Sequence, residues 1–467
     1  MDSSWIRVTR ALAGEPPDQD VGKVGASMSL SNVNRESAAR ARDRLRVVAA
    51  RRSHRALRLL WLLVGPGILV MLGENDAPSM LSYAATGSTF GVGFFVPFIL
   101  VTFAMAFVAQ EITVRLGAVS KAGHAELIYR RFGRFWGNFA MVDLLFTNVL
   151  TLITEFVGVA AGAGFFGIPK WLSISGAIVL IVIANLFRRY WTWERIVLAL
   201  AMFNLVFVAL AFWVHPNWAA VGHALLTFSP LPGGWNNNTI VILLSDIGAT
   251  ITPWMLFFQQ GAVCDKGLTT KDLSHGRVDT ALGALLAALA AMGCVIATSP
   301  LYVHHMNAAQ FGAAQFAQAL VPYLGHIGAA LFALGILDAG IVAASTISIS
   351  SAYAFGEVRR QAHSLNASFS EGKAFYAVLI GTLVVTGGVV LIPHFPLEFA
   401  VLMVNVIAVL TMPPAIGFLL LLVNDPDIMG EYRNGKWLNA LGIGVGGFVS
   451  LAGLIYALTV IFPNFKL

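Results

Sequence analysis

Two stretches of the chain place proline next to acidic and hydroxyl side chains inside otherwise apolar sequence. They are Gly-Glu-Asn-Asp-Ala-Pro-Ser at 73–79 and Asp-Ile-Gly-Ala-Thr-Ile-Thr-Pro-Trp at 246–254. Proline has no backbone N–H and disfavours helix at the preceding residue, so each stretch should interrupt its helix and free carbonyl oxygens. The oxygen ligands they would present are the side chains of Asp76, Ser79 and Thr252 and the carbonyl of Ala249. Such a set suits magnesium, calcium or manganese rather than a soft metal.

Further acidic residues also fall inside apolar sequence, where an unpaired charge costs about 2.5–3.5 kcal/mol on insertion scales. They are Glu74, Asp246, Asp338 and Glu155. The interiors of the apolar segments offer no Lys or Arg, so a cation is the natural counter-charge. For Glu74, Asp246 and Asp338 the alternative is a protonated carboxyl group hydrogen-bonded between helices. Glu111 and Asp279 lie near segment ends, and we expect them to be solvated.

The composition is that of a membrane protein. Of the 467 residues, 57% are hydrophobic and only 12% are Asp, Glu, Lys or Arg, whereas a soluble domain carries roughly 25% charged residues. This excludes a soluble enzyme, a disordered scaffold and a disulfide-stapled module. Eleven apolar segments are long enough to span lipid, and they lie at 59–84, 92–114, 137–167, 171–187, 196–214, 239–260, 279–303, 326–355, 374–393, 397–423 and 437–462.

The distribution of Lys and Arg predicts the orientation. With the N-terminus in the cytoplasm, only Lys170 and Lys466 of the 30 basic residues fall outside. The positive-inside rule therefore places the polar, basic tail 1–57 in the cytoplasm and the C-terminus outside. The expected location is the plasma (inner) membrane. Lipid is an expected partner and nucleic acid is not, and the sequence does not define an oligomeric state.

The two interrupted segments are the first and the sixth, five segments apart. Because five is odd, a repeat of that length inverts its second copy in the membrane, and broken helices at matching positions indicate the central site of a secondary transporter. The predicted organisation is a first repeat at 58–215, an outer loop at 216–238, a second repeat at 239–423, and an inner loop with an eleventh transmembrane helix at 424–467.

Several motifs give the chain a resemblance to the Nramp family of divalent-metal transporters. In order they are Gly65-Pro66-Gly67 followed by Asp76, Gln110 with Arg115-Leu116-Gly117, Ala125-Glu126-Leu127-Ile128, Arg131-Phe132-Gly133, Glu155 to Gly158, Phe166-Gly167-Ile168-Pro169, Gly248-Ala249-Thr250, and Asn424 to Gly430. The resemblance implies an all-α polytopic membrane protein with a LeuT-like inverted repeat of five plus five helices and an eleventh transmembrane helix.

The chain departs from the family pattern at positions that bear on selectivity. Where the family reads Asp-Pro-Gly-Asn, this chain has Asp76-Ala77-Pro78-Ser79, and where the family reads Met-Pro-His it has Thr252-Pro253-Trp254. Leu152 replaces an aspartate three residues before Glu155, and a tenth-helix glutamine appears as Asn405. The thioether and most of the proton relay are therefore missing together. This combination resembles the Nramp-related magnesium transporters, which are thought to pass a largely hydrated ion without proton coupling.

The leading interpretation is an importer of divalent metal, magnesium and also manganese, that works by alternating access without proton coupling. The predicted metal ligands are Asp76, Ser79, Ala249, Thr252, Asp246, Glu74, Asn405 and Asp338. The alternatives are a proton-coupled manganese or iron importer, a LeuT-like carrier of an organic solute, and a receptor that uses this fold. An enzyme is not expected, because no nucleophile–base pair or phosphate-binding loop is present. No cofactor is expected, and the metal is the transported substrate.

Overall fold

The computed structural model describes residues 62–187, 189–304, 311–393 and 397–461, and residue 49 alone. Within these ranges the regular elements are helices, and the tail at 1–57 lies outside them except for residue 49. In chain order the α-helices are α1 (Pro66–Glu74), α2 (Ala77–Phe90), α3 (Phe95–Ser120), α4 (His124–Phe132), α5 (Arg134–Gly164), α6 (Lys170–Asn185), α7 (Tyr190–Ala201), α8 (Val206–Trp213), α9 (Trp218–Thr227), α10 (Asn237–Gly248), α11 (Pro253–Lys266), α12 (Leu273–Val303), α13 (Ala313–Arg359), α14 (Lys373–Val390), α15 (Leu397–Val423), α16 (Pro426–Met429) and α17 (Lys436–Ile461).

The described helices confirm the prediction of an all-α polytopic membrane protein. Nine of them, counted with the short segments that continue them, are long and apolar enough to cross a membrane. The two remaining predicted segments correspond to the divided pair α1–α2 and to α6, which has 16 residues. The short helices α4 and α9 lie in what the sequence predicts to be loops. The boundaries of the two repeats remain a prediction.

Both predicted helix breaks are present. Between α1 and α2, Asn75 leaves the helical conformation and Asp76 is extended, with φ −75° and ψ 175°. Between α10 and α11, the chain unwinds after Gly248, and Thr252 is extended before Pro253 restarts the helix. The prolines stand in the first turn of α2 and α11, where a missing N–H costs nothing. The sequence rule therefore placed both interruptions correctly.

The eighth predicted segment belongs to a longer element than expected. Helix α13 has 47 residues, but Gly325 within it has φ +66° and ψ 177°, which divides it into two helices. A left-handed φ is open to glycine and strained for other residues. The second part begins at 326, where the sequence predicts the apolar segment to begin.

The first turn of α1 is fixed by Asp279 of α12. The sequence analysis expects this residue to lie near a membrane edge, because it is the first residue of the apolar segment 279–303. The Asp279 carboxylate accepts hydrogen bonds from the backbone N–H groups of Gly65, Gly67 and Ile68, at 3.0, 2.7 and 3.3 Å. The first turn of a helix has unpaired N–H groups and a partial positive charge, which a carboxylate satisfies.

The expectation that Asp279 and Glu111 are solvated was wrong, since both are buried. Glu111 lies between Arg115 and Arg277.

A buried ion pair secures the same end of α1. The Lys266 ammonium group donates to the Glu194 carboxylate at 2.7 Å and to the Val64 carbonyl at 2.8 Å. The side chains of Lys266 and Glu194 are 0% and 3% exposed. Glu194 also approaches Gly65 so closely that a Cβ there would overlap its carboxyl group. Helices α7, α11 and α12 therefore hold the beginning of α1 together.

Replacing Lys266 with methionine is expected to destabilise the fold. The substitution leaves the Glu194 carboxylate buried without a counter-ion, which costs about 3–5 kcal/mol. The measurement is thermal unfolding of the purified protein in detergent. The double variant Lys266→Met, Glu194→Gln should recover much of the lost melting temperature because no charge is then stranded. Equal melting temperatures for the wild type and the single variant would contradict the assigned ion pair.

Candidate cation site

The two helix breaks face each other and are joined by hydrogen bonds. The Thr252 hydroxyl donates to the Glu74 carboxylate at 2.8 Å, and the Tyr83 hydroxyl donates to the Ala249 carbonyl at 3.0 Å. Each bond joins the first broken helix to the second one. Residues more than 160 positions apart in sequence therefore form one buried polar site.

At the first break, two carboxyl groups organise the start of α2. The Asp76 side chain caps the helix by accepting from the Ser79 N–H at 2.9 Å. The Glu155 carboxylate reaches across from α5 and accepts from the Ala77 N–H at 3.1 Å. The carboxyl groups of Asp76 and Glu155 are also close enough to interact directly. Both are almost completely buried, so the site carries negative charge or holds protons.

At the second break, proline sets a carbonyl oxygen free. In a continuous helix the Ala249 carbonyl would accept from the N–H four residues later. That residue is Pro253, which has no N–H. Gly248 lies directly against the Asn405 carbonyl, where a Cβ would overlap it. This close contact brings α15, and with it Asn405, to the break.

Toward the predicted outer side, Asp246 is enclosed. Its two carboxylate oxygens accept from the hydroxyl groups of Ser82 and Thr86, each at 2.8 Å. Asp246 is 0% exposed. Asp246, which lies on the predicted outer side of the site, is therefore buried between α2 and α10.

Toward the predicted inner side, Trp254 closes the space below the breaks. Its ring is completely buried and lies against Gly73 at the end of α1. The Trp254 carbonyl accepts from the Ser350 hydroxyl of α13 at 3.1 Å. The site is therefore buried on both its predicted outer and its predicted inner side.

Several buried oxygen atoms around the first break have no hydrogen-bond partner. They are Glu74 Oε1, Asn75 Oδ1 and Ser79 Oγ. A buried acceptor without a partner costs about 1–3 kcal/mol, so it calls for a water or an ion. Within the described ranges no set of three or more His, Cys, Asp and Glu side chains is arranged to hold a metal. Any cation here would be held by a mixture of carboxylate, hydroxyl and carbonyl oxygens and by water.

The structure brings most of the predicted ligands together, although their roles stay predictions. Glu74, Asp76, Ser79, Ala249 and Thr252 border the facing breaks, Asn405 packs behind Gly248, and Asp246 lies further outward. Asp338 lies apart. The face of α13 that packs on α5 carries Ala333, Ile336, Leu337 and Gly340, and Asp338 is on the other side, half-buried, with Oδ2 unpartnered.

Sequence reasoning missed the hydroxyl groups that complete the site. Tyr83 holds the Ala249 carbonyl, and Ser82 and Thr86 hold Asp246. The Thr102 hydroxyl contacts that of Thr250 at 3.0 Å. A signal was available, since Tyr83 follows Ser79 by four residues and Thr86 follows Ser82 by four, which places each pair on one helix face.

Two broken helices that enclose a buried polar site between them define the class of LeuT-like secondary transporters. Residues 67–459 match the family described as Natural resistance-associated macrophage protein-like, or Nramp. The chain therefore belongs to the Nramp family, as its motifs predict.

Relatives and solved structures agree with this assignment. The chain is 25% identical over 414 residues to the divalent metal cation transporter MntH of Aeromonas hydrophila, which covers 84% of this chain and 95% of that protein. It is 25% identical over 421 residues to the divalent metal cation transporter MntH 1 of Pseudomonas aeruginosa, covering 85% and 91%. The names of these relatives agree with the prediction of a protein that is not an enzyme.

Among solved structures, the manganese transporter of Eremococcus coleocola superposes with a TM-score of 0.70 at 20% identity, covering 88% of this chain and 90% of that one. MhsT in complex with L-phenylalanine superposes with a TM-score of 0.54 at 13% identity, covering 84% and 98%. At these identities the similarity shows the fold alone, and it confirms the predicted LeuT-like architecture.

Proposed function

We propose that the protein is a divalent-metal transporter whose main cargo is Mg²⁺ and that it works without proton coupling. The observation that carries this proposal is the set of unpartnered buried oxygens, Glu74 Oε1, Asn75 Oδ1 and Ser79 Oγ, at the facing helix breaks. The Glu74 carboxylate and the Asn75 amide oxygen are acceptors, and the Ser79 hydroxyl can accept as well as donate, so all three suit a cation or the outward-pointing hydrogens of its water shell. Family membership supports the metal as cargo, because relatives of the chain are named divalent metal cation transporters.

The types of ligand at the two breaks favour a hard ion. Mg²⁺ favours oxygen ligands and keeps several waters because it dehydrates reluctantly. The second break offers the Ala249 carbonyl and the Thr252 hydroxyl. Thr252 stands at the position where the family pattern has a methionine. Without a thioether the site loses a ligand that favours softer transition metals over Mg²⁺. This chain has Trp254 where the family pattern has a histidine and Leu152 where it has an aspartate. It therefore lacks two groups that could carry a second ion.

The proposed transport path uses the broken helices as moving parts. Cargo would enter from the outer side past Asp246 and bind near Asp76, Ser79, Thr252 and the Ala249 carbonyl, with Glu74 and Asn405 beside it. Movement of α1 and α11 away from the other helices would then open the inner side. The N-terminus would lie in the cytoplasm, the C-terminus outside, and the host membrane would be the inner membrane.

A proton-coupled manganese importer is the second candidate, and one observation favours it. Glu155 is retained, and its carboxyl group lies beside that of Asp76. Two neighbouring buried carboxyl groups share protons readily, so this pair has the chemistry of a proton acceptor coupled to cation binding. A similar solved structure is that of a manganese transporter.

Flux into proteoliposomes distinguishes the two candidates. We expect external Mg²⁺ to enter vesicles that contain the purified protein, without acidification of a pH dye inside, because no complete proton relay accompanies the cation. Mn²⁺ is offered separately, and protein-free vesicles are the control. Manganese entry with acidification and no magnesium entry would contradict the magnesium proposal and support the second candidate.

A further inference from the structure

Three residues of α11 lie on one face of this half-helix and meet α13. Trp254, Gly261 and Asp265 are seven and four positions apart, a spacing that brings residues to the same side of a helix. The Ser350 hydroxyl of α13 donates to the Trp254 carbonyl at 3.1 Å. The Tyr353 ring lies directly on Gly261, where a Cβ would overlap it. The half-helix that begins at the second break is therefore attached to α13 along its length.

Asp265, one turn beyond Gly261, is buried among three hydrogen-bond donors. Its carboxylate accepts from the Tyr353 hydroxyl at 2.8 Å, from the Ser364 hydroxyl at 2.7 Å and from the Leu365 N–H at 2.9 Å. The Tyr353 side chain is itself buried. These donors come from α13 and from the segment that follows it, so one carboxylate joins the predicted inner end of α11 to both.

A second set of polar contacts joins α11 to helices that also hold α1. Gln259 Nε2 donates to the Thr280 hydroxyl of α12 at 3.2 Å, and the neighbouring Asp279 binds the first turn of α1. Helices α1, α11 and α12 are therefore linked as a group. Tyr353 belongs to α13, which packs on α5. The bond between Asp265 and Tyr353 thus connects this group to the helices that flank it.

We propose that Asp265 and Tyr353 form a latch, a pair of positioning residues that holds α11 against α13 and keeps the predicted inner side of the cation site covered. The inference rests on the proposed function, since it assumes that α1 and α11 move away from the other helices to release cargo. That movement separates the Asp265 carboxylate from the Tyr353 hydroxyl, because the two groups lie on helices that part. Loss of the bond therefore raises the fraction of protein that is open on the inner side.

The test measures the reactivity of a thiol placed on the inner side of the site. The Thr346 hydroxyl and the Trp254 ring both lie beside Gly73, and Thr346 is completely buried, so a thiol at this position reacts only when the inner side opens. Thr346→Cys is combined with Cys264→Ser and Cys294→Ala, which remove the two native cysteines. A membrane-impermeant maleimide is then applied to inside-out membrane vesicles, and the rate of modification is measured.

Tyr353→Phe removes the hydroxyl and keeps the ring on Gly261. Because the lost bond is to a charged group, the rate of modification should rise by about tenfold. Tyr376→Phe is the matched control, since this buried tyrosine hydroxyl also donates to an oxygen, the Ala367 carbonyl at 3.0 Å, and neither residue belongs to α11. Its rate should equal that of the background. Asp265→Ala should raise the rate at least as much as Tyr353→Phe does.

A double variant and a melting temperature separate the latch from a general loss of stability. Adding Tyr353→Phe to Asp265→Ala should raise the rate no further, because the same bond is already lost. A further rise would show that Tyr353 acts by another route and would overturn the latch. A lower melting temperature of Tyr353→Phe without faster modification would assign the pair a purely structural role and would overturn it as well.

Mg²⁺ uptake by the wild type in proteoliposomes separates this inference from the proposed function. If the wild type takes up no divalent cation, the proposed function fails, whereas faster modification of Tyr353→Phe still supports the latch. If the wild type takes up Mg²⁺ and Tyr353→Phe is modified at the background rate, the latch is wrong while the function stands. Should Tyr353→Phe not fold, the same increase is required of Asp265→Ala.

Discussion

Substitution of Asp76 by alanine is expected to abolish cation uptake while the protein still folds. Asp76 is the carboxylate at the centre of the first break, 1% exposed, with Ser79 and Glu155 as neighbours. Loss of a group that merely supports a metal ligand costs 10–100-fold in affinity, so loss of the ligand itself should reduce uptake by more than about 100-fold. The measurement is the initial rate of Mg²⁺ entry into proteoliposomes.

Folding must be shown separately, because Asp76 also caps α2. Loss of a helix cap costs about 1 kcal/mol, which a membrane protein of this size tolerates. Asp143→Asn is the matched control, since Asp143 is a half-buried aspartate on α5 with no contact to either break among the described residues. Uptake by Asp143→Asn should equal that of the wild type. Uptake by a folded Asp76→Ala variant at the wild-type rate would remove Asp76 from the site.

The sequence predicted the parts of the site that depend on local chemistry. Pro78 and Pro253 remove backbone donors within a few residues of the breaks, so the interruption of both helices follows from residues that are neighbours in the chain. The position of Asp76 at the first break follows in the same way, whereas its role as the cap of α2 was not predicted. The pairing of the two breaks followed from their spacing of five segments, and the structure agrees through the bonds between Glu74 and Thr252 and between Tyr83 and Ala249.

What the sequence did not predict depends on contacts between distant residues. Asp279 was expected to be solvated because it lies near the end of an apolar segment. It is buried because the first turn of α1, 211–214 positions earlier, lies against it and donates three N–H groups. Asp338 was grouped with the site because it is an acid in apolar sequence. Its position on α13 is set by which face of that helix packs on α5, and helix periodicity alone did not define that face.

The environment of Tyr83 shows a different limit. A tyrosine in an apolar helix is expected to belong to the hydrophobic core, and the ring of Tyr83 is indeed buried. Its hydroxyl finds its partner only in the carbonyl that Pro253 leaves free on another helix. Spacing along α2 could have placed Tyr83 on the same face as Ser79, but the partner at Ala249 is known only from the packing of α2 against the second break.

The second large effect concerns selectivity, and it is expected for Thr252→Met. This substitution places a thioether at the second break, next to the Glu74 carboxylate that Thr252 now contacts. A thioether is a soft ligand that Mn²⁺ accepts more readily than Mg²⁺. We expect the ratio of Mn²⁺ to Mg²⁺ uptake to rise by about tenfold or more, equivalent to ~1.4 kcal/mol of preference. Initial rates for both ions, measured singly and in competition, give this ratio.

Thr252→Val is the control that separates the added sulfur from the lost hydroxyl. Valine has the shape of threonine without its donor, so it breaks the bond to Glu74 but offers no ligand. If ligand softness governs selectivity, Thr252→Val changes the rates of both ions by the same factor, and only Thr252→Met changes their ratio. An equal ratio in the two variants would mean that selectivity is set by other groups. The retained Glu155–Asp76 pair would then be the next part of the site to test, with acidification measured beside metal entry.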